Sequence, residues 1–473
     1  SGEKRTKGGS AMSGGLKLGP TSFVMPEFAY INKCAYFNYQ RSKVYWRTDA
    51  NIKKNLKRVA NQRRRHQRIN KVVHFKMPKN CPACRSRKVH KYHHSERIIS
   101  DLRFSSSGVK KWIVKFVTVR FGCSKCRKNF LPNEYVAAVS RIMGHNLIAD
   151  QTTPALSGKL RESHFGNMQK YGHGLLAWTI YQNIGQRQTG KNVARSLNDI
   201  FGFGLDPNNS GLVSNFKERA EKYYDQAYLD IIKNIQSGRL VHVDETKVNL
   251  KKTAGYVWVF TNLEDVLYIY SNSREGAILS EVLKDFKGVL VSDFYTAYDS
   301  VPCLQQRCLV HLVRDFNDDL LANQFDAEFK GLVEAFGKLL KPIIATIDAH
   351  GLKAHFLSKH KKDVVRFFDT SLEMDFSSEL ARKYQTRLKK NRDRLFTFLD
   401  HDGVPWNNNN AENAIKGFAV LRRTIDGLAT ENGIRPTLKL LSIYQTLRNK
   451  NISFLDFLKS GERSLSKYMG QVK

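Results

Sequence analysis

Three acidic residues occupy local contexts from which carboxylates can converge on one spot. Asp244 lies in VHVDET, where Val241 and Val243 alternate with His242. That period of two describes a strand with one buried face. It turns Asp244 away from the Val243 side, towards a site or solvent. Asp293 follows GVLVS at the carboxyl end of a second apolar run. Glu412 falls in the first turn of a helix that the asparagines at 407–410 can cap. Oxygen ligands of this kind hold Mg²⁺ while leaving positions open for water and phosphate. Two such ions about 4 Å apart serve phosphoryl transfer. Taken singly, each acid also reads as an ordinary structural carboxylate. Glu245 should face the other side of its strand, and Asp299 and Asp315 read as ion-pairing helix residues.

The second chemical feature is a pair of knuckles, Cys81-Pro-Ala-Cys84 and Cys123-Ser-Lys-Cys126. Each C-x-x-C turn offers two thiolates, and four thiolates complete a tetrahedral zinc shell. IVKFVTVRF at 113–121 is a strand-like run between them, so the unit reads as a zinc ribbon with a hairpin in the long gap. His90, His93 and His94 are competing ligands, but the paired thiolates are the simpler set. The remaining cysteines are Cys34, Cys303 and Cys308. An odd count in a large chain argues against a disulfide framework.

The elements that must position these residues follow from periodicity. RLVHVDETKV, YVWVFTN and VLYIYSN are three strands with short connections. GAILSEVLKDF is a helix, GVLVSDF a fourth strand and QQRCLVHL a fifth. Three consecutive strands followed by alternating strands and helices describe a mixed sheet covered by helices. Upstream, residues 170–236 show apolar positions at helical spacing with Gly and Pro at the joints, and Ser210 or Ser214 begins the last helix. They fit a helix-turn-helix or a plain helical connector. We divide the chain into a disordered tail (1–22), a basic arm or helix (23–79), the zinc ribbon (80–135), a helical, helix-turn-helix-like DNA-binding region (136–236), a first catalytic part (237–315), a helical insertion (316–402), and a second catalytic part with C-terminal helices (403–473). Residues 49–73 contain no Gly or Pro and read as helix, with Asp49 as cap.

The net charge of +35 is unevenly placed: residues 1–150 hold 33 Lys and Arg against seven Asp and Glu. So localised an excess is the footprint of a polyanion, and nucleic acid fits best. Lys53, Lys54, Lys57, Arg58, Arg63, Arg64, Arg65 and Arg68 are the candidate phosphate contacts of the arm. Arg422 and Arg423, beyond Glu412, either hold phosphates or are simply solvated. Trp406 either stacks on a base or packs in its turn. No apolar run approaches the roughly 20 residues that cross a bilayer. Residues 1–20 lack the apolar stretch of a secretory signal.

VDET, VSDFYTAYD, QRCLVHLVRD and VPWNNNNAEN together resemble the DDE transposases, and within them the IS66 group of insertion-sequence transposases and its relatives. The likeness runs from about residue 238 to about 450. It implies an RNase H-like catalytic domain, with Asp244, Asp293 and Glu412 as the acids that hold Mg²⁺ or Mn²⁺ for DNA strand cleavage and joining. Cys308-x-x-His311 resembles a motif found between the second Asp and the Glu in several such families. Its two groups either form half a metal site or orient the strand-to-helix corner. The likeness also implies double-stranded DNA as partner, a homodimer and a place on the prokaryotic nucleoid in the cytoplasm. Two other readings stay open: a nuclease or resolvase on the same fold that does not join strands, and a DNA-binding protein with a silent site.

Overall fold

The computed structural model of the chain describes residues 68–143, 171–206, 211–425 and 429–472. Residues 70–473 form one unit. It begins with a small mixed sheet. β2 (Val89–Ser105) and β3 (Gly108–Cys123) make a long antiparallel hairpin, with β1 (Lys71–His74) parallel to β3 on its other side. The short β4 (Asn129–Phe130) pairs with the end of β3. The hairpin turns at Gly108, whose φ of 113° only glycine adopts without strain. Helix α1 (Asn133–Met143) packs Tyr135, Val136 and Val139 on Ile99, Val114 and Phe116. The helix expected over 49–73 therefore does not reach Val73: Lys71–His74 is a strand, because β3 offers it a backbone ladder. Residues 68–70 are not helical either; the rest of that helix, before residue 68, and the tail lie outside the described residues.

The hairpin docks on the body through one carboxylate. Asp101 Oδ1 accepts N–H groups from Leu102 (2.8 Å) and from Leu175 (2.7 Å). Leu175 lies in the first turn of α2 (His173–Ile180), whose N-cap Gly172 has no side chain to offer. Asp101 thus caps a helix remote in sequence. The approach is close enough that an added Cβ on Gly172 would sit 2.2 Å from the Asp101 carboxyl carbon.

The larger sheet has the order β7-β6-β5-β8-β9. β5 (Leu240–Asn249), β6 (Ala254–Thr261) and β7 (Val266–Ser271) form an antiparallel meander. β8 (Val289–Ser292) and β9 (Leu304–Arg307) join it in parallel. α6 (Ala277–Val282) lies between β7 and β8 in sequence. One core unites sheet residues such as Val241, Trp258 and Tyr268 with α2, α3 (Gly190–Phe201), α4 (Gly211–Tyr223) and α5 (Asp225–Gln236). The helices of 173–236, read as a separate DNA-binding region, thus share a core with the sheet. The last helix of that region is two helices, α4 and α5, parted at Tyr224. The Tyr224 ring is fully buried, and its hydroxyl donates to Leu458 O at 2.9 Å. Ser214 lies inside α4, and Ser210 is outside the described residues.

A second core covers Val289 and Val291 of β8 with α7 (Leu309–Ala322), α8 (Ala327–His350) and α9 (Glu379–Lys390). The helical stretch expected from 316 begins at Leu309. Asp326 caps α8 through Phe329 N–H at 2.9 Å, and Ser378 caps α9 through Ala381 N–H at 3.0 Å. The chain returns as α10 (Asn409–Ile425) and α11 (Glu431–Asn449), then α12 (Phe454–Ser460) and α13 (Leu465–Val472).

Burial pushes Asp101 up to about 6, against its N–H donors, from an ordinary 3.8. The fold therefore binds this proton more tightly than the unfolded chain does. The contribution is full below about pH 4 and is lost as pH rises through about 6. Urea unfolding between pH 4 and 8 should show the wild type losing roughly 2–3 kcal/mol relative to Asp101→Asn across that window. Parallel stability profiles would refute it.

Candidate functional site

Central strand β5 has both faces covered, which corrects the one-sided reading of its alternation. Val241 and Val243 lie in the core, and His242 on the opposite face is fully buried as well. β5 pairs in parallel with β8 through Leu240↔Val289, Val241↔Leu290 and His242↔Val291. Carrying that register two residues further sets Asp244 beside Asp293, on the same face, just past the end of β8. Asp293 Oδ1 accepts Tyr295 N–H (2.9 Å), which shapes the turn leaving the strand. Asp244 Oδ1 accepts Glu245 N–H (2.9 Å). Burial, then the charges of Glu245, Asp293 and Glu412, push Asp244 up to about 7. The three chosen acids are therefore electrostatic neighbours.

Glu412 is brought to them by Asn408, which is fully buried just before α10. Its Nδ2 donates to Val243 O (2.9 Å) and its Oδ1 lies 3.0 Å from His242 Nδ1. Its N–H donates to Cys308 Sγ (3.2 Å), and its carbonyl accepts Glu412 N–H (3.2 Å). Because Asn408 Oδ1 can only accept, His242 carries its proton on Nδ1 and leaves Nε2 to accept from Asn410 Nδ2 (3.2 Å). Burial holds His242 down to about 4, so the ring is neutral. The asparagine run thus does more than cap: Asn407 Oδ1 takes Asn409 N–H at 3.2 Å, while Asn408 ties three elements together.

Cys308 is buried at the corner between β9 and α7. His311 Nε2, one turn on, lies 3.7 Å from Glu412 Oε1, too long for a hydrogen bond. Glu412 Oε1 and His311 Nδ1 are both enclosed without a hydrogen-bond partner. Trp406 packs, half-buried, against the second core. Arg422 donates from Nη1 to Thr246 Oγ1 and Lys247 O, each at 2.9 Å, which ties one nitrogen of its guanidinium to β5. Arg423 is exposed, as is Arg68. Lys53, Lys54, Lys57, Arg58, Arg63, Arg64 and Arg65 lie outside the described residues.

Two arginine clusters flank the acids, and neither was visible in the sequence. Arg307, 1% exposed, donates to Ser292 Oγ (2.6 Å) and Asp293 O (2.8 Å) and pairs with Asp299, which also binds Arg394. Arg274 donates to Glu245 Oε1 from Nε (2.7 Å) and from Nη2 (2.5 Å). Glu245 does turn away from Asp244, but into this pair. Asp315 pairs with Arg387 at 2.8 Å. A buried arginine leaves no mark in periodicity; the one hint was a basic residue in the otherwise uncharged QQRCLV.

At the base of the hairpin, Cys81, Cys84, Cys123 and Cys126 bring their sulfurs within 4.8 Å of one another. Cys81 and Cys126 are 3.7 Å apart, Cys84 and Cys123 3.6 Å. Arg85 and Arg127, each just after a knuckle, take matching left-handed φ values of 56° and 54°. Their N–H groups close the two turns onto Cys81 O (2.9 Å) and Cys123 O (2.8 Å). The N–H of Cys126, aided by that of Lys125, holds the Cys123 thiol down to about 6 against its burial. Among the described residues this is the one group of three or more His, Cys, Asp or Glu with donor atoms so close; the three acids stand further apart.

The described residues thus make a mixed α/β protein with one acid in the middle of the central strand β5 and another just past the end of its parallel neighbour β8. The profile of the transposase IS66 family matches residues 169–435, more than half of the chain, and the chain belongs to that family. Its general role is therefore that of a transposase, and the family implies DNA as its partner. No curated protein matches it significantly. No helix among the described residues is long and apolar enough to cross a membrane.

Replacing Asn408 by Ala strands the His242 Nδ1–H and Val243 O and leaves a void. It should cost about 2–4 kcal/mol in urea unfolding. Asn407→Ala, which loses only a local turn bond, should cost less than about 1 kcal/mol. Equal losses would show that Asn408 is not the tie.

Proposed function

We propose that the chain cuts and joins DNA strands at the ends of a mobile element, using Asp244, Asp293 and Glu412 as its catalytic acids. The observation that carries this reading is the β5–β8 register beside Asp293, with the start of the Glu412 helix bound to β5 through Asn408. The sheet order, three antiparallel strands followed by two parallel ones, supports an RNase H-like catalytic domain with the helical segment as insertion. The acids fit divalent cations: Asp244 sits in a low-dielectric spot among three other carboxylates, and Glu412 Oε1 is enclosed without a partner. Mg²⁺ or Mn²⁺, two per site, would supply activation of the attacking oxygen and charge stabilisation at the leaving oxygen. Asp244 would hold such ions from the middle of β5, Asp293 from the end of β8, and Glu412 from the helix start. His311 Nε2 faces Glu412 and orients it, while Cys308 fixes the corner from which His311 projects.

Four thiol groups with matched knuckles support one structural Zn²⁺ in a ribbon at the hairpin base. DNA contact is assigned to the basic N-terminal segment, to Arg423 and to Arg422, whose Nη1 is held by β5. We keep the domain order read from the sequence, with the ribbon extended to the β1 strand and α1 and the helical region treated as cover for the sheet. A homodimer acting on double-stranded DNA at the nucleoid follows from the need to bring two element ends together. A nuclease that cuts without joining is the rival reading, and strand-joined products separate the two.

The test is cleavage and joining of a labelled element end in Mg²⁺, with a gel shift for binding. Asp244→Asn, Asp293→Asn and Glu412→Gln should each lower cleavage by roughly 10³-fold or more and leave binding nearly unchanged. Asp315→Asn is the control, because its carboxylate is paired with Arg387 and ties α7 to α9. Wild-type cleavage by Asp293→Asn would sink the triad.

Zinc has its own readout. Elemental analysis should give about one Zn²⁺ per chain, and Cys81→Ser with Cys84→Ser should lose it and loosen the hairpin base. Full retention by that double variant would rule out the four-thiol site.

A further inference from the structure

Arg274 stands in the loop between β7 and α6, at the carboxyl end of a strand that runs in the same direction as β5 and β8. Three contacts fix it there. Glu245 Oε1 takes its Nε and Nη2. The Tyr295 ring lies under its guanidinium carbon at 4.1 Å. The Tyr295 hydroxyl donates back to Arg274 O at 3.1 Å. Tyr295 is also the residue whose N–H holds Asp293 Oδ1, so a single residue connects the guanidinium to one of the acids.

The anchor is unusual for a surface ion pair. The Glu245 side chain is 2% exposed and that of Arg274 is 45% exposed. Both Glu245 oxygens are occupied, because Oε2 accepts the Tyr298 hydroxyl at 2.5 Å. Three of the roughly four lone-pair sites of Glu245 are thus taken, although it adjoins Asp244 in the chain. Arg274, in contrast, has Nη1 without a hydrogen-bond partner among the described residues. A guanidinium over an aromatic ring, with one edge anchored and one edge open, is arranged to receive an anion that offers two oxygens. The nearest charges to it include the Glu245 and Asp293 carboxylates, so its cation favours a phosphodiester entering beside them.

We propose that Arg274 contacts the DNA backbone directly, binding a phosphate beside the bond to be cut, and that Glu245 and Tyr295 are the positioning residues that aim it. This rests on the reading of Asp244, Asp293 and Glu412 as the cutting site. It also changes the place of Glu245, which is a support of the site and not a silent neighbour.

The experiment uses the full chain and duplexes of the element's terminal repeat in Mg²⁺. One phosphate at a time on either side of the cut is replaced by an uncharged methylphosphonate. Wild type should cut roughly 30–100-fold more slowly when the contacted phosphate is neutral, since a charge-assisted contact is lost there. Arg274→Met combined with Glu245→Gln removes both charges and leaves no buried ion unpaired. It should cut unmodified DNA about 100-fold more slowly and be slowed no more than about twofold further at that position. Arg274→Lys keeps a charge but loses the fork and the stacking; it should fall about tenfold and keep part of the position effect. Should the double variant fail to fold, the Lys variant carries the comparison, and a position effect as large as wild type's would overturn the contact. A folded double variant as sensitive as wild type at every position would reduce Arg274 to a structural partner of Glu245. A wild-type protein that binds the repeat but never cuts it would fail earlier, at the acids themselves, and take this contact with it.

Discussion

The placement of the third acid depends on one buried amide. Asn408 offers a donor, an acceptor, a backbone N–H and a carbonyl, and they are spent on three elements: β5 twice, at Val243 O and the His242 ring, the Cys308 corner and α10. A buried polar group without partners costs free energy, so these four bonds favour a single arrangement of the elements that carry them. The arrangement is directional where apolar packing is not. Without it, α10 could slide on the sheet at little hydrophobic cost, and Glu412 would move with it. His242 completes the tie because its ring is neutral and its two nitrogens differ, one donating and one accepting.

Around this tie, like charges are held close together. Burial and three neighbouring carboxylates raise Asp244 to about 7, which means that the fold keeps acids where they repel. Both faces of the sheet are packed, by two different helical cores, so the strands that carry them cannot part. The arginines sit at the rim. Arg307 braces the backbone of Asp293 from the β9 side, and Arg274 stands across the site on the Glu245 anchor. These cations support the acids from behind or beside and leave the carboxylates themselves free to take ligands.

Much of this was legible in the chain. The strands of the larger sheet, the hairpin between the knuckles and the helices from 316 onward follow from period and spacing, while CLVHL, read as strand, opens a helix at Leu309. So did the proximity of Asp244, Asp293 and Glu412, once their motifs were set beside the transposase likeness. The failures share one cause. β5 read as one-sided because His242 looks polar, yet a histidine with two asparagine partners is satisfied in a core. Residues 71–73 read as helix because local composition favours it, and β3 overrides that with a ladder. The helices of 173–236 read as a separate unit because amphipathic helices do not say which surface they cover. Glu245 was set aside correctly by strand alternation, but its opposite face turned out to hold an arginine.

The sequence by itself determined the local alphabet of this protein: which segments alternate, which turn, where four thiols come in pairs, and which acids end strands or begin a helix. Those features depend on neighbours a few residues apart, and periodicity records them. Only the tertiary structure decided that Asn408 reaches Val243 across 165 residues, that Arg394 meets Asp299 across 95, and that Asp101 caps a helix 74 residues away. Hydrogen bonds between distant residues depend on the direction in which each side chain emerges after the sheet and helices have packed. No single segment of the chain carries that information.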